Sequence, residues 1–293
     1  MELSVIIPAR NEEFLLNTVE EALKKSGETT ECIVVLDGYW ATPSLPQHER
    51  LIVIHNEESV GQRAAINQAA RVSRAKYIMK LDAHCTLDNH FDRKLIESAK
   101  ELGREVVQVP TQYNLHVYDW VCPDGHRRYQ SPDGPCKDCG KETTKEMVWK
   151  KREHKKTYAW RFDKDLKFAY WSEYEKKHQE EKYLETMSLL GACFFLERDY
   201  YWELGGSDEG HGSWGQQGTE IACKTWLSGG RLICNRKTWF SHFFRTGEIG
   251  FPYPLSGKDQ EKAREYSNDI WKNNKWSKQI HNLDWLINKF QTL

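Results

Sequence analysis

A carboxylate and an imidazole lie two residues apart at the end of an apolar segment, Asp82 and His84 in KYIMKLDAHC. The preceding residues predict a short buried strand, and polar groups at the exit of such a strand need a partner. In an extended backbone both side chains point the same way and can bind one divalent cation. Oxygen and imidazole ligands together suit manganese. The spacing suggests a metal site, with a hydrogen-bonded acid–histidine pair as the structural alternative.

A second group of potential ligands lies in the turn-rich segment CPDGHRRYQSPDGPCKDCG. Two ligand pairs separated by Gly and Pro predict a tetrahedral structural zinc site, which would hold a loop too small for a core of its own. The alternative to a metal site is a set of free surface thiols. If a metal is bound, His116 could replace His126 as the fourth ligand. The predicted zinc ligands are Cys122, His126, Cys136 and Cys139.

The next segment combines positive charge with aromatic residues. Residues 145–156 contain six Lys or Arg against Glu146 and Glu153, and Trp149, Tyr158 and Trp160 lie within or just after them. Cations next to aromatic rings suit phosphate backbones and bases. A solvated amphipathic helix that covers the active site is the alternative.

Elements that could position these groups follow from the hydrophobic pattern. Residues 3–110 alternate between short apolar runs and helical patterns, with the first helix predicted to open at Asn11, and this predicts a doubly wound α/β sheet. Ligands of such sheets bind at the carboxyl ends of the strands, where Pro8–Glu12, Asp37 and Asp82 are expected. Residues 111–186 lack the regular hydrophobic pattern of helices and strands, which suggests an insertion. The pattern resumes over 187–246, and residues 247–293 are expected to form a mobile loop and helices.

Composition limits the possible classes of protein. The chain has 293 residues, 39% of them hydrophobic, and a formal net charge of -1. It is therefore expected to be globular, with no overall field that would attract it to DNA or lipid. The N-terminus has no secretory pattern and no apolar run approaches the ~20 residues that span a bilayer. We therefore expect an intracellular, cytoplasmic protein without membrane contact.

Several motifs resemble a known family. IPARNEE after the first strand, VVLDG after the second and LDAHC after the fourth resemble the GT-A fold of nucleotide-sugar glycosyltransferases, including family 2. LLGACFFLERDYYWELGGSDE, SWGQQGTEIACKTWLSGGRL and SHFFR resemble the polypeptide N-acetylgalactosaminyltransferases in order and approximate spacing. The resemblance covers residues 1–110 and 187–246. It implies a doubly wound, Rossmann-like GT-A sheet in which 1–110 bind the nucleotide sugar and 187–246 hold the catalytic and acceptor half. The predicted zinc-knuckle segment would be inserted between these halves.

The resemblance also implies roles for individual residues. Asp82, His84 and His242 would bind Mn²⁺ (or Mg²⁺), which neutralises charge on the leaving diphosphate of a UDP-sugar, and Arg245 would contact that diphosphate. Trp214 would form the wall of the sugar site, and Gln217 replaces a family glutamate. The remaining donor contacts implied are Ala9, Arg10, Glu12, Asp37, Arg63, Asp82, Gly191 and Ala192.

The stereochemistry of transfer depends on a single position. Inverting members of family 2 carry an acidic base that aligns with Gly218, which cannot take a proton. Gln217 can hydrogen-bond sugar hydroxyls but cannot act as a base. Retention is therefore favoured, with the acceptor hydroxyl attacking from the leaving-group side.

The acceptor is the least determined part of the reaction. Because the chain shows neither a membrane stem nor a lectin domain, a hydroxymethylated DNA base, as in modified viral genomes inside a host cell, is favoured. Protein Ser/Thr or a glycan hydroxyl is the alternative acceptor, and a non-catalytic nucleic-acid-binding module on a transferase scaffold is the alternative of another class. The loop RTGEIGFPYPLSGKD is expected to close over the donor.

Overall fold

Alternating strands and helices build the first third of the chain, as the hydrophobic pattern predicts. The computed structural model describes residues 1–245 and 249–291. The strands are β1 Leu3–Ala9, β2 Thr30–Asp37, β3 Leu51–Asn56, β4 Tyr77–Leu81, β5 Cys85–Leu87, β6 Val106–Val121, β7 Arg127–Tyr129, β8 Thr144–Thr157, β9 Trp160–Phe162, β10 Phe168–Tyr170, β11 Tyr183–Glu185, β12 Cys193–Glu197 and β13 Arg231–His242. The helices are α1 Leu15–Lys25, α2 Gln62–Val72, α3 Phe91–Leu102, α4 Ser172–Lys177, α5 Arg198–Glu203, α6 Gln217–Leu227, α7 Gly257–Lys272 and α8 Leu283–Gln291.

One mixed sheet organises the molecule. Within the described residues it contains eleven strands in the order β11-β13-β6-β12-β4-β1-β2-β3, with β5 beside β13 and with β7 and β8 beside β6. The four strands β3, β2, β1 and β4 are parallel, whereas β12 is antiparallel to β4. The chain runs outward from β1 through β2 to β3 and then returns to β4 on the other side of β1. A crevice at the carboxyl ends of β1 and β4 follows from this reversal.

The predicted insertion is continuous with the sheet. β6 runs through residue 110, where the sequence analysis placed a boundary, and extends to Val121. Residues 144–157 form the strand β8, antiparallel to β6, so the amphipathic-helix alternative is wrong. Its periodicity was not recognisable because β8 pairs with β6 through two register shifts and its burial does not alternate.

Other boundaries differ locally. Asn11 does not open α1, which begins at Leu15; Asn11 has φ 51° and its side-chain amide donates to the Pro252 carbonyl at 2.6 Å. Residues 231–242 form one strand, β13, with an irregularity between Asn235 and Trp239. The tail is helical as predicted, and Ser256 caps α7 in a capping box with Asp259.

Two apolar clusters stabilise the fold. The main core lies on the sheet, where every residue of β1 and β2 is buried. A second cluster joins the outer part of β6 to the strand ends near the crevice; it consists of Phe14, Leu115, Val117, Tyr118 and Phe243. In residues 1–245 and 249–291, no helix has the length and apolar character that crossing a bilayer requires.

Candidate active site

A cavity of about 410 Å³ occupies the crevice at the carboxyl ends of β1 and β4. Segments that are distant in sequence supply its walls. They include the end of β1 and the loop after it (Pro8, Ala9, Arg10, Glu12), the end of β2 (Asp37), the residues after β4 (Asp82–His84), the turn before β12 (Leu189–Ala192), the loop before α6 with its first turn (Ser213–Thr219), the end of β13 and the residues after it (His242–Arg245), and the segment before α7 (Phe251, Tyr253–Leu255). Nearly all residues that the sequence assigned to the donor or its metal lie here.

Asp82, His84 and His242 converge on one side of the cavity. The Nε2 atoms of His84 and His242 lie 3.0 Å apart, and Nε2 of His242 lies 3.2 Å from Oδ2 of Asp82. The side chains come from the exits of β4 and β13, which β6 and β12 separate in the sheet order. One donor atom from each residue lies within 4.8 Å of the others, a spacing that allows all three to bind the same ion.

The local electrostatics keep Asp82 and His242 in the protonation states that metal binding requires. Burial lowers the pKa of His242 to about 4, so its imidazole is neutral at neutral pH. Burial alone would raise the pKa of Asp82, but the neighbouring Lys80 and a hydrogen bond to His242 hold it well below its ordinary value. Nδ1 of His242 is buried and has no hydrogen-bond partner among the described residues.

Lys80 was missed by the sequence analysis. Its ammonium group is 1% exposed, pairs with Oδ1 of Asp82 and donates to the Gly191 carbonyl at 2.6 Å. The available signal was a lysine inside the otherwise apolar run YIMKL, because a buried lysine requires a paired anion. Lys80 therefore joins the Asp82 carboxylate to the turn that carries Gly191 and Ala192.

Glu12 and Arg245 form an ion pair at the edge of the same site. Oε2 of Glu12 lies 3.2 Å from Nδ1 of His84, and the Arg245 guanidinium contacts the same ring at 3.3 Å. Burial alone would raise the pKa of Glu12, but His84 and Arg245 lower it. The pair places a guanidinium beside the three converging residues.

The loop after β1 meets the segment before α7. Arg10 lies over the ring of Tyr253 at 5.2 Å, and its Nε is buried with no hydrogen-bond partner among the described residues. Trp214 packs edge-to-face on Phe251 at 5.7 Å. Residues 246–248 of the expected mobile loop lie outside the described residues, whereas Phe251, Tyr253 and Leu255 line the cavity.

Asp37 lines the cavity and also holds a neighbouring loop. Its carboxylate accepts hydrogen bonds from the Ser59 hydroxyl at 2.7 Å, from the Val60 amide at 2.7 Å and from the Gly61 amide at 3.1 Å. The side chain is 3% exposed. These contacts fix the shape of the cavity beside β2 and leave the carboxylate partly engaged with its own chain.

Arg63 does not line the cavity, contrary to its predicted contact with the base or diphosphate. Its side chain is 1% exposed and pairs with Glu220 at 2.7 Å. Its terminal nitrogens donate to the carbonyls of Gly212 at 3.2 Å and Gly215 at 2.7 Å. Arg63 therefore supports the loop that carries Trp214 from behind, and its guanidinium is already occupied.

Small residues and an unpaired amide form the far end of the cavity. Gly191 and Ala192 line it beside Gln217, whose Nε2 is buried without a hydrogen-bond partner in the described part of the chain. A Cβ atom on Gly218 would lie 2.0 Å from the Leu189 carbonyl oxygen. The backbone approach at Gly218 thus excludes any side chain, including the acid that inverting relatives place there.

We expect Gly218→Ala to destabilise the protein by about 1–3 kcal/mol, because the added methyl must displace the Leu189 backbone. Urea unfolding measures the change. Gly257→Ala is the matched control, since a Cβ atom there meets nothing within 4 Å. Equal stability of the two variants would show that residues 189 and 218 can separate without cost.

The predicted zinc ligands also come together, at the end of β6. Sγ of Cys122 lies 3.5 Å from Nδ1 of His126 and 3.6 Å from Sγ of Cys139, and Sγ of Cys136 lies 3.6 Å from Nδ1 of His126. Backbone hydrogen bonds from Cys139 and Asp138 lower the pKa of the Cys136 thiol to about 7. The reserve ligand His116 is instead paired with Asp119 at 2.7 Å.

Comparison with known proteins identifies the family. The model of the family described as Glycosyl transferase family 2 matches residues 4–205. Probable N-acetylgalactosaminyltransferase 8 of Caenorhabditis elegans is 23% identical over 197 residues, which are 67% of this chain and 40% of that protein. Polypeptide N-acetylgalactosaminyltransferase 8 of Drosophila melanogaster is 35% identical over 89 residues, or 28% of this chain and 15% of that protein.

A solved structure supports the same architecture. The crystal structure of GalNAc-T7 with UDP, GalNAc and Mn²⁺ superposes with a TM-score of 0.65 at 19% identity, covering 92% of this chain and 48% of that one. The likeness confirms the predicted mixed α/β, GT-A-like fold. The chain spans less than half the length of these relatives. It belongs to glycosyl transferase family 2.

Proposed function

We propose that the chain is a metal-dependent glycosyltransferase that moves a hexose or N-acetylhexosamine from a UDP-sugar to a Ser or Thr hydroxyl of a polypeptide. The observation that carries this proposal is the convergence of Asp82, His84 and His242 inside the cavity at the strand ends. The GalNAc-T7 structure was solved with UDP, GalNAc and Mn²⁺, the classes of ligand proposed here.

The three converging residues fit a divalent cation such as Mn²⁺ or Mg²⁺. Ligand atoms at right angles and about 2.1 Å from an ion lie about 3.0 Å from one another, close to the 3.0 and 3.2 Å separations observed. When bound, such an ion would neutralise charge on the diphosphate of the donor. Arg245 would supply a second positive charge near the diphosphate, because its guanidinium contacts the imidazole of His84.

The donor would extend from Asp37 to Gln217 across the cavity. Asp37, Ala9, Arg10 and Glu12 line the end proposed for the nucleoside, where Arg10 carries an unpaired Nε. At the opposite end Gly191 and Ala192 leave room for a sugar. Trp214 is the proposed wall of this sugar site. An unpaired buried amide costs free energy, so a sugar hydroxyl that accepts from Gln217 Nε2 would be favoured.

We expect Gln217→Ala to lower kcat/KM for the UDP-sugar about tenfold, since it removes one hydrogen bond to the sugar. Compared with Gln217→Ala, Gln217→Glu regains a side-chain oxygen that can accept a hydrogen bond from a sugar hydroxyl, but it has no N–H to donate. Comparing the two variants separates the acceptor role of Gln217 from its donor role. Gln279→Ala, outside the cavity, is the control. An unchanged kcat/KM in Gln217→Ala would show that the sugar does not reach this residue.

Retention of anomeric configuration is the proposed outcome. Leu189 and Gly218 approach too closely for an acid at the position of the inverting base. In the proposed step the bond from the anomeric carbon to the diphosphate oxygen breaks and the acceptor oxygen bonds to the same face. The acceptor proton passes to a diphosphate oxygen, so no side-chain base is required.

The comparisons do not support the DNA base that the sequence analysis favoured as acceptor. The relatives carry the names of N-acetylgalactosaminyltransferases, and one is named for polypeptide acceptors. A protein hydroxyl is therefore the proposed acceptor.

Mass spectrometry tests the proposed reaction. The protein would be incubated with Mn²⁺, a panel of UDP-sugars and Ser/Thr peptides, with hydroxymethylated DNA as the alternative acceptor. We expect a hexose or N-acetylhexosamine mass on peptide and an α-linkage by NMR when an α-linked UDP-sugar is the donor. Modification of DNA without modification of peptide would overturn the proposed acceptor, and a β-linked product would overturn retention.

We also propose that the cluster at the end of β6 binds structural zinc. Zinc with sulfur ligands at about 2.3 Å and nitrogen at about 2.05 Å places neighbouring ligand atoms about 3.5–3.8 Å apart. The 3.5–3.6 Å separations among Cys122, His126, Cys136 and Cys139 fit this geometry. Residues 122–143 have few buried apolar side chains, so a metal would supply their stability.

We expect one zinc ion per chain by native mass spectrometry. Cys136→Ser with Cys139→Ser should lose it and make residues 122–143 sensitive to protease, because two of four ligands are gone. Cys234→Ala, a buried cysteine outside the cluster, should keep the ion. Full zinc content in the double variant would contradict the proposed ligands.

A further inference from the structure

Residues 144–157, which form β8, carry a concentration of positive charge that the proposed reaction does not use. We call this strand the basic arm. It contains six Lys or Arg residues between residues 145 and 156 and two acids there, Glu146 and Glu153. The whole chain has a formal net charge of -1. Among the described residues the arm pairs with β6 alone, so its outer edge faces solvent. Such a local field attracts an anionic partner.

Part of this charge is satisfied within the protein. Lys145 pairs with Glu13 at 2.6 Å, and Lys151 pairs with Glu153 at 3.2 Å. Three exposed lysines of the arm form no ion pair within 4.0 Å in residues 1–245 and 249–291. They are Lys150, Lys155 and Lys156.

Several aromatic rings near the arm are covered by its own cations or buried in the core. Lys151 covers the rings of Tyr113 at 4.7 Å and Trp239 at 4.4 Å, and Arg152 covers Tyr129 at 4.7 Å. Trp160 is fully buried. Binding of single strands relies on exposed stacking rings as well as charge. The arm therefore offers mainly charge, which favours an acidic polypeptide over a nucleic acid.

One strand, β6, separates the arm from β13, the strand that carries His242. His242 pairs with Asn114 of β6, and Gln112 of β6 pairs with Thr157 of the arm. Two strand spacings correspond to about 10 Å. Lys150 pairs with His116, two residues along β6 from Asn114, so Lys150 lies on the same face of the sheet as His242. Lys156 pairs with Tyr113 and lies on the opposite face. A polypeptide bound along the free edge of the arm would meet lysines from both faces.

We propose that Lys150, Lys155 and Lys156 bind an acidic stretch of the acceptor polypeptide while its Ser or Thr occupies the active site. This inference rests on the proposed function. An extended chain advances about 3.3 Å per residue, so 10 Å corresponds to about three residues. The acidic residues should therefore lie three or more positions from the modified hydroxyl.

Matched peptides test the proposal. One acceptor peptide carries Asp and Glu three to eight positions from its Ser or Thr, and the other carries Asn and Gln there. Each is assayed with wild type, with the arm variant Lys150→Gln/Lys155→Gln/Lys156→Gln and with a control variant. The control removes the same charge from exposed lysines on other elements by Lys24→Gln, Lys100→Gln and Lys177→Gln.

We expect the KM of wild type to be about tenfold lower for the acidic peptide at low salt. The arm variant should lose this preference with kcat unchanged, and the control variant should keep it. High salt should weaken the preference, because the cations are exposed. Equal KM values in wild type, or equal losses in both variants, would overturn the proposal.

Direct binding separates this proposal from the proposed function. Fluorescence anisotropy of the labelled acidic peptide, without donor, reports the arm whether or not transfer occurs. Binding that the arm variant loses supports the arm even if no peptide is glycosylated, which would then contradict only the proposed acceptor. A single-stranded oligonucleotide that binds the arm more tightly than the acidic peptide would assign the surface to nucleic acid and overturn the proposal.

Discussion

Replacing His242 by alanine should lower the rate of sugar transfer by about 10³-fold or more. The imidazole is one of three groups that converge within 4.8 Å, and two remaining ligands cannot hold a divalent cation as tightly. A loss of 10³ corresponds to about 4 kcal/mol of transition-state stabilisation, the size expected for removing charge neutralisation at a leaving group. Steady-state transfer at several Mn²⁺ concentrations and Mn²⁺ binding by calorimetry measure the two consequences.

His48→Ala is the matched control, because His48 lies in an exposed loop away from the cavity. It should transfer sugar at the wild-type rate. The thermal unfolding of both variants shows whether a loss of activity reflects unfolding. If folded His242→Ala keeps activity within tenfold of wild type at saturating Mn²⁺, the metal site proposed here is wrong.

Local patterns predicted the parts of the site that neighbouring residues form. Asp82 and His84 share the exit of one buried strand, so their spacing alone suggested a common ion. The cluster of Cys122, Cys136 and Cys139 has the same local character, since its spacing is that of zinc knuckles. His242 lies 158 residues from His84, and only the family resemblance connected the two.

Interactions between distant charged side chains were not predictable in this way. Arg63 was assigned to the donor through the family resemblance, but its partner Glu220 is 157 residues away. Lys80 was hidden inside an apolar run. The basic arm was compatible with a helix because an edge strand with bulges has no period-two pattern. In each case tertiary contacts decide the role of the charge.

The contact between Arg63 and Glu220 is the centre of a buried charge cluster behind the active site. Oε2 of Glu220 lies 2.7 Å from Arg63, and Oε1 lies 2.8 Å from Lys224 and 2.6 Å from the Asp208 amide. The side chains are at most 3% exposed. One carboxylate therefore balances two buried cations and, through Arg63, positions the loop that contains Trp214.

Glu220→Gln should destabilise the protein by about 3–5 kcal/mol at pH 7, because it leaves both cations buried without a counter-charge. That loss is a large part of the roughly 5–15 kcal/mol that stabilises an ordinary domain. Urea unfolding measures it. Glu97→Gln, an exposed acid on α3, is the control and should change the free energy of unfolding by less than about 0.5 kcal/mol.

The same cluster predicts how stability depends on pH. Burial alone would raise the pKa of Glu220, but Lys224, Arg63 and His211 lower it from 4.5 to about 2. A carboxyl with a depressed pKa in the folded state stabilises it fully above pH 4.5, and this contribution disappears as the pH falls towards 2. The difference in unfolding free energy between wild type and Glu220→Gln should therefore be constant from pH 5 to 7 and shrink by about 3 kcal/mol below pH 4.5, since each pKa unit corresponds to ~1.4 kcal/mol. A difference that stays constant down to pH 2 would mean that Glu220 titrates normally and that Arg63 and Lys224 are balanced by other groups.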